Sequence, residues 1–233
     1  LNDIIQIVGC PAEEILPLSF KNGGGGGKIR LLEKGVFDKN KAVLMIHPAT
    51  RNEVDPLMVA VKQIDIEFIG KAAHASGSPY IGKNALDAQI LAYNSISALR
   101  QQLQPTEKIH GIITNGGESA NIIPDYTRSS WMMRAQKTSG LKVLERKIVN
   151  CFKSAATATG CKLNIIEGNG TYENLITDKN LAKIFMDYSK DLGIDMKTNR
   201  DFDQTKNGST DFGNISKKFP SLHAFLAIVP DDG

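Results

Sequence analysis

Cysteine is scarce: Cys10, Cys151 and Cys161 are all that a chain of 233 residues contains. An odd, low count at this length argues against a disulfide scaffold and fits a reducing, cytoplasmic compartment. No apolar stretch approaches the ~20 residues a membrane-spanning helix needs, so no membrane partner is expected. Charge of one sign is also in short supply. The net charge is +3 and the pI about 8.7, and lysines and arginines do not cluster with interleaved aromatics, so no nucleic-acid partner is expected. No signal-peptide pattern opens the chain, which starts at Leu1 almost directly with an apolar segment. The expectation is that part of the parent protein precedes it. Asn169, Asn207 and Asn214 begin Asn-x-Ser/Thr triplets, a pattern frequent by chance, and nothing else indicates secretion. What remains is a hydrophobic content of 41%, ordinary for a globular chain that can bury one large core or two small ones.

Phosphate-binding patterns are missing too. The run Gly23 to Gly27 before Lys28 invites a P-loop reading, but Asn22 stands at the first glycine position and Ile29 where Ser or Thr would bind magnesium. Lys28 likewise falls on the third glycine of a dinucleotide fingerprint. The run could bring backbone N–H groups close to a ligand, or serve as a flexible loop.

The positive signal lies at strand ends. Residues 4–8 and 42–46 are short and apolar, as buried parallel strands are. Residues 28–34 between them read as a helix stopped by Gly35. This predicts a βαβ unit with a right-handed crossover. Glu13 and Glu14 follow the first strand and His47 ends the second, where sites of open parallel sheets form. A carboxylate and an imidazole there suit a zinc-like cation, with the adjacent carboxylate acting on metal-bound water. The alternative stays open: Pro11-Ala12-Glu13-Glu14 is also a helix start, with acids that offset the dipole, and a histidine after a strand is often structural.

From residue 59 the pattern changes. Residues 59–68 predict a strand with one irregularity, 84–102 a helix with Leu86, Ile90, Leu91, Ile96 and Leu99 as its apolar positions, and 108–114 a strand closed by Asn115-Gly116-Gly117. Residues 126–135 predict a strand, 141–159 a helix with Leu144, Ile148, Val149 and Phe152 inward and Gly160 as its stop, and 161–166 a final strand. The order βαββαβ is the ferredoxin-like split motif. A helix at 179–192 and a strand at 222–229 resume the first domain. The expected division is a catalytic domain at 1–58 and 172–233, incomplete at both ends, and an inserted domain at 59–171, since compact insertions are tolerated where domain termini lie close together.

The order of short motifs resembles one family. They are Gly9-Cys10-Pro11-Ala12-Glu13-Glu14, Ile46-His47-Pro48, Gly70-Lys71-Ala72-Ala73-His74-Ala75, Asn84-Ala85-Leu86-Asp87-Ala88, Asn115-Gly116-Gly117, Asn121-Ile122-Ile123-Pro124 and Gly208-Ser209-Thr210-Asp211-Phe212-Gly213-Asn214. Together they resemble the aminoacylase and carboxypeptidase family of co-catalytic zinc peptidases, closest to the aminoacylase-1-like branch that includes β-alanyl-lysine dipeptidase.

The resemblance implies an α/β catalytic domain, a mostly parallel sheet with helices on both faces, and an inserted lid domain that dimerises. It implies Glu13 as general base, Glu14 and His47 as metal ligands, and His74 in the lid as oxyanion donor, reaching across a homodimer. Asn121 and Arg134 would grip the substrate, with a guanidinium suited to a carboxylate. Gly208, Ser209, Thr210 and Asp211 would line the pocket. Two zinc ions are expected in the complete protein, and the substrate is a dipeptide of the β-alanyl-lysine type or an N-acyl amino acid. Family members carry further ligands upstream of the Glu-Glu pair and downstream of residue 214. The residues given are therefore expected to bind zinc weakly and hydrolyse nothing measurable. Taken one by one, His74 is equally a turn histidine, Arg134 a salt-bridge partner and Asn121 a turn cap, while His223 reads as a packed histidine. A non-catalytic dimerising relative, or an inactive fragment that only binds ligand, is the alternative to a metal-dependent amide hydrolase.

Overall fold

The computed structural model describes residues 4–11, 26–168, 170–203 and 208–229. Its elements in chain order are α1 (Gly27–Glu33), β1 (Val43–Ala49), β2 (Ala60–Ile69), β3 (Ala73–His74), α2 (Ala85–Leu99), β4 (Lys108–Asn115), β5 (Ile122–Ile123), β6 (Tyr126–Ala135), α3 (Thr138–Thr159), β7 (Lys162–Glu167), α4 (Lys179–Asp191), α5 (Phe212–Ser216) and β8 (Ser221–Ala227). The chain divides into two units, Leu1–Met58 with Leu175–Gly233, and Val59–Asn174.

The second unit is a four-stranded sheet in the order β4-β6-β2-β7, every neighbouring pair antiparallel. With α2 and α3 as crossovers this is the split βαββαβ arrangement. Strict alternation on β6 buries Thr127, Ser129, Trp131, Met133 and Ala135 on one face. Against that face α3 lays Leu141, Leu144, Ile148, Phe152 and Ala155, spaced by three or four residues as one helical stripe demands. Trp131 meets Phe152 edge-on at 5.6 Å between ring centres, and its indole N–H donates to Ser129 Oγ at 2.8 Å. Gly160 at φ 68° ends the helix in the left-handed region that favours glycine.

Helix α2 departs from the expected pattern. Asn84 caps it as its side chain accepts from the Leu86 and Asp87 amides. Its buried face, however, is Ala85, Ala88, Gln89, Ala92 and Ile96, while Ile90 and Leu91 stay more than two-fifths exposed. The small side chains let α2 approach α3 and the sheet closely, and the larger ones are displaced outward. The expected irregularity in β2 is also absent. β2 pairs in unbroken register with β6, and the register shift falls in β4 between Ile113 and Asn115. A short ladder, β3 with β5, pairs Ala73 with Ile123 and His74 with Ile122.

In the first unit β1 and β8 pair in parallel from Val43↔Ser221 to Ala49↔Ala227. Helices cover both faces. Phe212 and Ile215 of α5 pack with Leu32 of α1, Val43 and Met45 on one face. Leu222 and Ala224 meet Leu181, Phe185 and Met186 of α4 on the other. Asp178 caps α4 by accepting from the Asn180 and Leu181 amides.

The expected strand at 4–8 does not form. Ile4, Ile5 and Ile7 are at least nine-tenths exposed, and β1 takes its ladder from β8. Both segments instead line a cavity of about 640 Å³, with Lys28 and Phe212 on its wall. An apolar run records that a segment can be a strand, not which edge is free to receive it.

Lys28 opens the first turn of α1 and is buried. Its ammonium lies 2.9 Å from Asp211 Oδ1, and its backbone N–H donates to Oδ2 at 2.9 Å. One carboxylate thus ties α1 to the loop before α5. Gly27 packs so closely on Pro11 that a Cβ there would stand 2.0 Å from the Pro11 carbonyl oxygen. Lys28→Met alone leaves the Asp211 charge buried and is expected to cost about 3–5 kcal/mol in urea unfolding. The double change Lys28→Met, Asp211→Leu removes both charges and costs only the acceptor of the residue-28 amide, so it is expected to be clearly less destabilising than Lys28→Met alone.

Candidate active site

The candidate residues fall into both units, and each unit is described by itself. Glu13 and Glu14 lie outside the described residues.

In the first unit His47 is the fifth residue of β1. Alternation turns it to the half-buried face shared with Val43 and Met45. Its register partner is Phe225, with ring centres 5.6 Å apart, and His223 stands edge-on at 6.0 Å. Nδ1 of His47 lies 2.7 Å from the Pro48 carbonyl oxygen. A carbonyl can only accept, so Nδ1 carries a proton, and in the neutral ring the lone pair is then on Nε2. That is the tautomer a metal takes, with the second nitrogen held by a carbonyl. His223 is 1% exposed and sits among His47, Phe212 and Phe225, a packed position.

The 208–211 loop runs from surface to interior. Gly208 is exposed, Ser209 half-buried, Thr210 and Asp211 buried. Thr210 Oγ1 accepts from the Phe212 amide at 3.2 Å. The Asp211 carboxylate is used inside the fold, on Lys28. The sequence reading missed Lys28, whose one visible signal was a lysine directly after a glycine run.

It also missed Arg51, four residues past His47. The Arg51 guanidinium grips buried Glu53 through Nε and Nη2, each 2.8 Å from Oε2, and lies 4.6 Å above the Phe202 ring. Burial pushes the Glu53 carboxyl above its usual range, against the lowering pull of Arg51.

In the second unit His74 and Asn121 come together. His74 pairs with Ile122, and the Ala75 amide donates to the Asn121 carbonyl at 2.9 Å. Both residues are exposed. The Asn121 side-chain oxygen accepts from Ser119 Oγ. His74 Nδ1 lies 3.3 Å from the Ser76 amide nitrogen and 3.1 Å from that of Gly77. An open depression of about 420 Å³, lined by Ala75, Asn84, Gly117, Glu118 and Ile122, adjoins this loop.

Arg134 is not with them. It lies eight residues past Tyr126 along β6, roughly 26 Å at about 3.3 Å per residue. It faces Lys108 of β4, and Nη2 contacts Met132 Sδ at 3.4 Å. Burial lowers its guanidinium from the usual value. Neighbouring His110 is lowered by burial first and then by the Arg134 and Arg100 charges.

Among the described residues no three His, Cys, Asp or Glu side chains converge as a metal site. His47 offers one nitrogen of the right tautomer, and the described residues alone do not complete a set for an ion.

Comparison with known proteins defines the class. Residues 60–160 match the peptidase dimerisation domain of M20 peptidases. The chain is similar to the Xaa-Arg dipeptidase of Homo sapiens, 39% identical over 224 residues, which is 96% of this chain and 49% of that protein. Against the Mus musculus protein of the same name the identity is 40% over 227 residues, covering 97% and 51%. One subunit of the p-aminobenzoyl-glutamate hydrolase of Escherichia coli (strain K12) is 31% identical over 157 residues, 66% of this chain and 31% of that one. The fold is similar to that of a putative aminohydrolase from methicillin-resistant Staphylococcus aureus, with TM-score 0.75 and 20% identity over 96% of this chain and 57% of the other. The chain belongs to the M20 peptidase, aminoacylase-like family. It spans about half the length of the two dipeptidases it matches.

Proposed function

We propose that this chain is part of a metal-dependent hydrolase that cleaves the amide bond of dipeptides carrying a basic C-terminal residue. The observation that carries this is similarity running almost the whole chain, at 39–40% identity, to proteins named Xaa-Arg dipeptidase. The β-alanyl-lysine type of substrate fits the same description, since lysine and arginine share a cationic end. N-acyl amino acids are the second substrate class, favoured by the likeness to the p-aminobenzoyl-glutamate hydrolase subunit.

In this reading the first unit, with its continuation at 175–233, is the catalytic domain, and the second is a lid through which two copies dimerise in the cytoplasm. Glu13 takes a proton from the attacking water and returns it to the leaving amine. Glu14 and His47 are this chain's ligands to a pair of zinc ions in the complete protein, and bound zinc supplies a water acidified toward neutrality. The tautomer of His47 supports the ligand role. His74 donates to the developing oxyanion, and its juxtaposition with Asn121 supports a shared task on the substrate carbonyl. Arg134 holds a carboxylate, at a position remote from Asn121 within one copy. Gly208, Ser209 and Thr210 line the pocket, and Asp211, held by Lys28, anchors that loop.

The test is a substrate panel on the complete protein with metal analysis alongside. Expected is turnover of Xaa-Arg and Xaa-Lys dipeptides well above Xaa-Glu, with zinc bound. Zinc without turnover of any dipeptide or N-acyl amino acid would identify a binding protein instead.

A further inference from the structure

The turn after β3 wraps around the His74 ring. The His74 carbonyl accepts from the Ser78 amide at 3.1 Å, which closes the turn. Inside it the Ser76 and Gly77 amides both point at Nδ1, at 3.3 and 3.1 Å, and the Ser76 hydroxyl lies 3.2 Å from the same nitrogen. The backbone passes close by: a Cβ on Gly77 would stand 3.5 Å from Nδ1, an ordinary contact.

A backbone N–H has no acceptor capacity. Two of them aimed at one ring nitrogen require that nitrogen to present its lone pair. A neutral imidazole carries one proton, which then resides on Nε2, the nitrogen on the far side of the ring. We propose that Ser76 and Gly77 are positioning residues: their amides hold His74 as the Nε2–H tautomer and fix the ring so that this N–H faces outward as a hydrogen-bond donor.

The proposal rests on the reading of His74 as oxyanion donor. There the tautomer decides the sign of the interaction, because Nε2–H attracts a developing negative oxygen and a bare Nε2 repels it. His47 shows the opposite arrangement, with a carbonyl at Nδ1 leaving the lone pair on Nε2. Two histidines of one chain are thus set by backbone groups of opposite polarity, one as ligand and one as donor.

The experiment is ¹⁵N–¹H correlation spectroscopy of the complete, metal-loaded protein labelled at histidine, with His74 assigned by its loss in His74→Ala. Expected is a single His74 tautomer with Nε2 protonated. A proton on Nδ1, or the mixture of tautomers of a freely tumbling imidazole, overturns the proposal. Three variants test the cause. Gly77→Pro removes one amide donor and is expected to bring back the mixture and lower kcat about tenfold, with KM and zinc content unchanged. Gly77→Ala keeps the amide and has room for its methyl, so the wild-type spectrum and rate should return. Ser76→Ala removes the hydroxyl that also faces Nδ1 and keeps both amides, so the single Nε2–H tautomer should persist. A rate loss in Gly77→Ala equal to that in Gly77→Pro overturns the amide as the cause. If Gly77→Pro fails to fold, the wild-type spectrum still decides. An unaffected His74→Ala rate beside a pure Nε2–H spectrum refutes the oxyanion reading and leaves the turn's hold on the ring intact.

Discussion

In the complete protein Glu13→Gln is expected to lower turnover by about 10²–10⁴-fold, the usual contribution of a positioned general base, while zinc content stays at the wild-type level. Glutamine keeps the shape of the side chain and loses only the ability to take a proton. Glu14→Gln is expected to lose metal as well, because an amide oxygen is a weaker ligand than a carboxylate. The two residues are neighbours in sequence, and the two variants separate the role of base from that of ligand. The measurement is metal content beside dipeptide kinetics for each variant. Loss of metal in Glu13→Gln with retention in Glu14→Gln would exchange the two roles.

His74→Ala is expected to lower kcat by about 10²–10³-fold, the cost of deleting one oxyanion donor, with little change in zinc content. In the proposed lid, the donor would act only when the site closes and excludes water. Mixing His74→Ala with Glu13→Gln protein tests which copy it serves. If His74 acts in the partner's site, a mixed dimer holds one site with both residues intact, and activity returns. If it acts in its own subunit, each site stays damaged. Absence of recovery after verified subunit exchange would rule out the crossed arrangement, and an undiminished His74→Ala rate would rule out any part in catalysis.

The family was legible because its marks are local. Seven short motifs in a fixed order survive without knowledge of any contact. The βαββαβ unit was legible for a related reason: β6 alternates strictly and α3 carries its apolar stripe at helical spacing, so each reports its own conformation and its inward face. Helix α2 was legible as a helix, with Ile96 buried and Leu99 packed on the core, but Ile90 and Leu91 face outward because the apolar rule selects large residues, whereas a close approach to α3 selects alanine. The sequence could not show that residues 4–8 remain unpaired, since being apolar is a property of the segment and pairing is a property of its neighbours.

The sequence by itself determined the family, the order of strands and helices in the inserted unit, and the residue types available for chemistry. Tertiary structure decided how those residues are used. Lys28 and Asp211, 183 positions apart, become one buried pair only when α1 and the loop before α5 meet. His74 and Asn121 become neighbours through the β3–β5 ladder, while Arg134, nearer to Asn121 in sequence, is carried away along β6. The two histidines are identical as letters. One becomes an acceptor at Nε2 and the other a donor there because a carbonyl faces Nδ1 in His47 and amides face it in His74. Hydrogen-bond polarity is a property of where the backbone passes, and that is settled only by the fold.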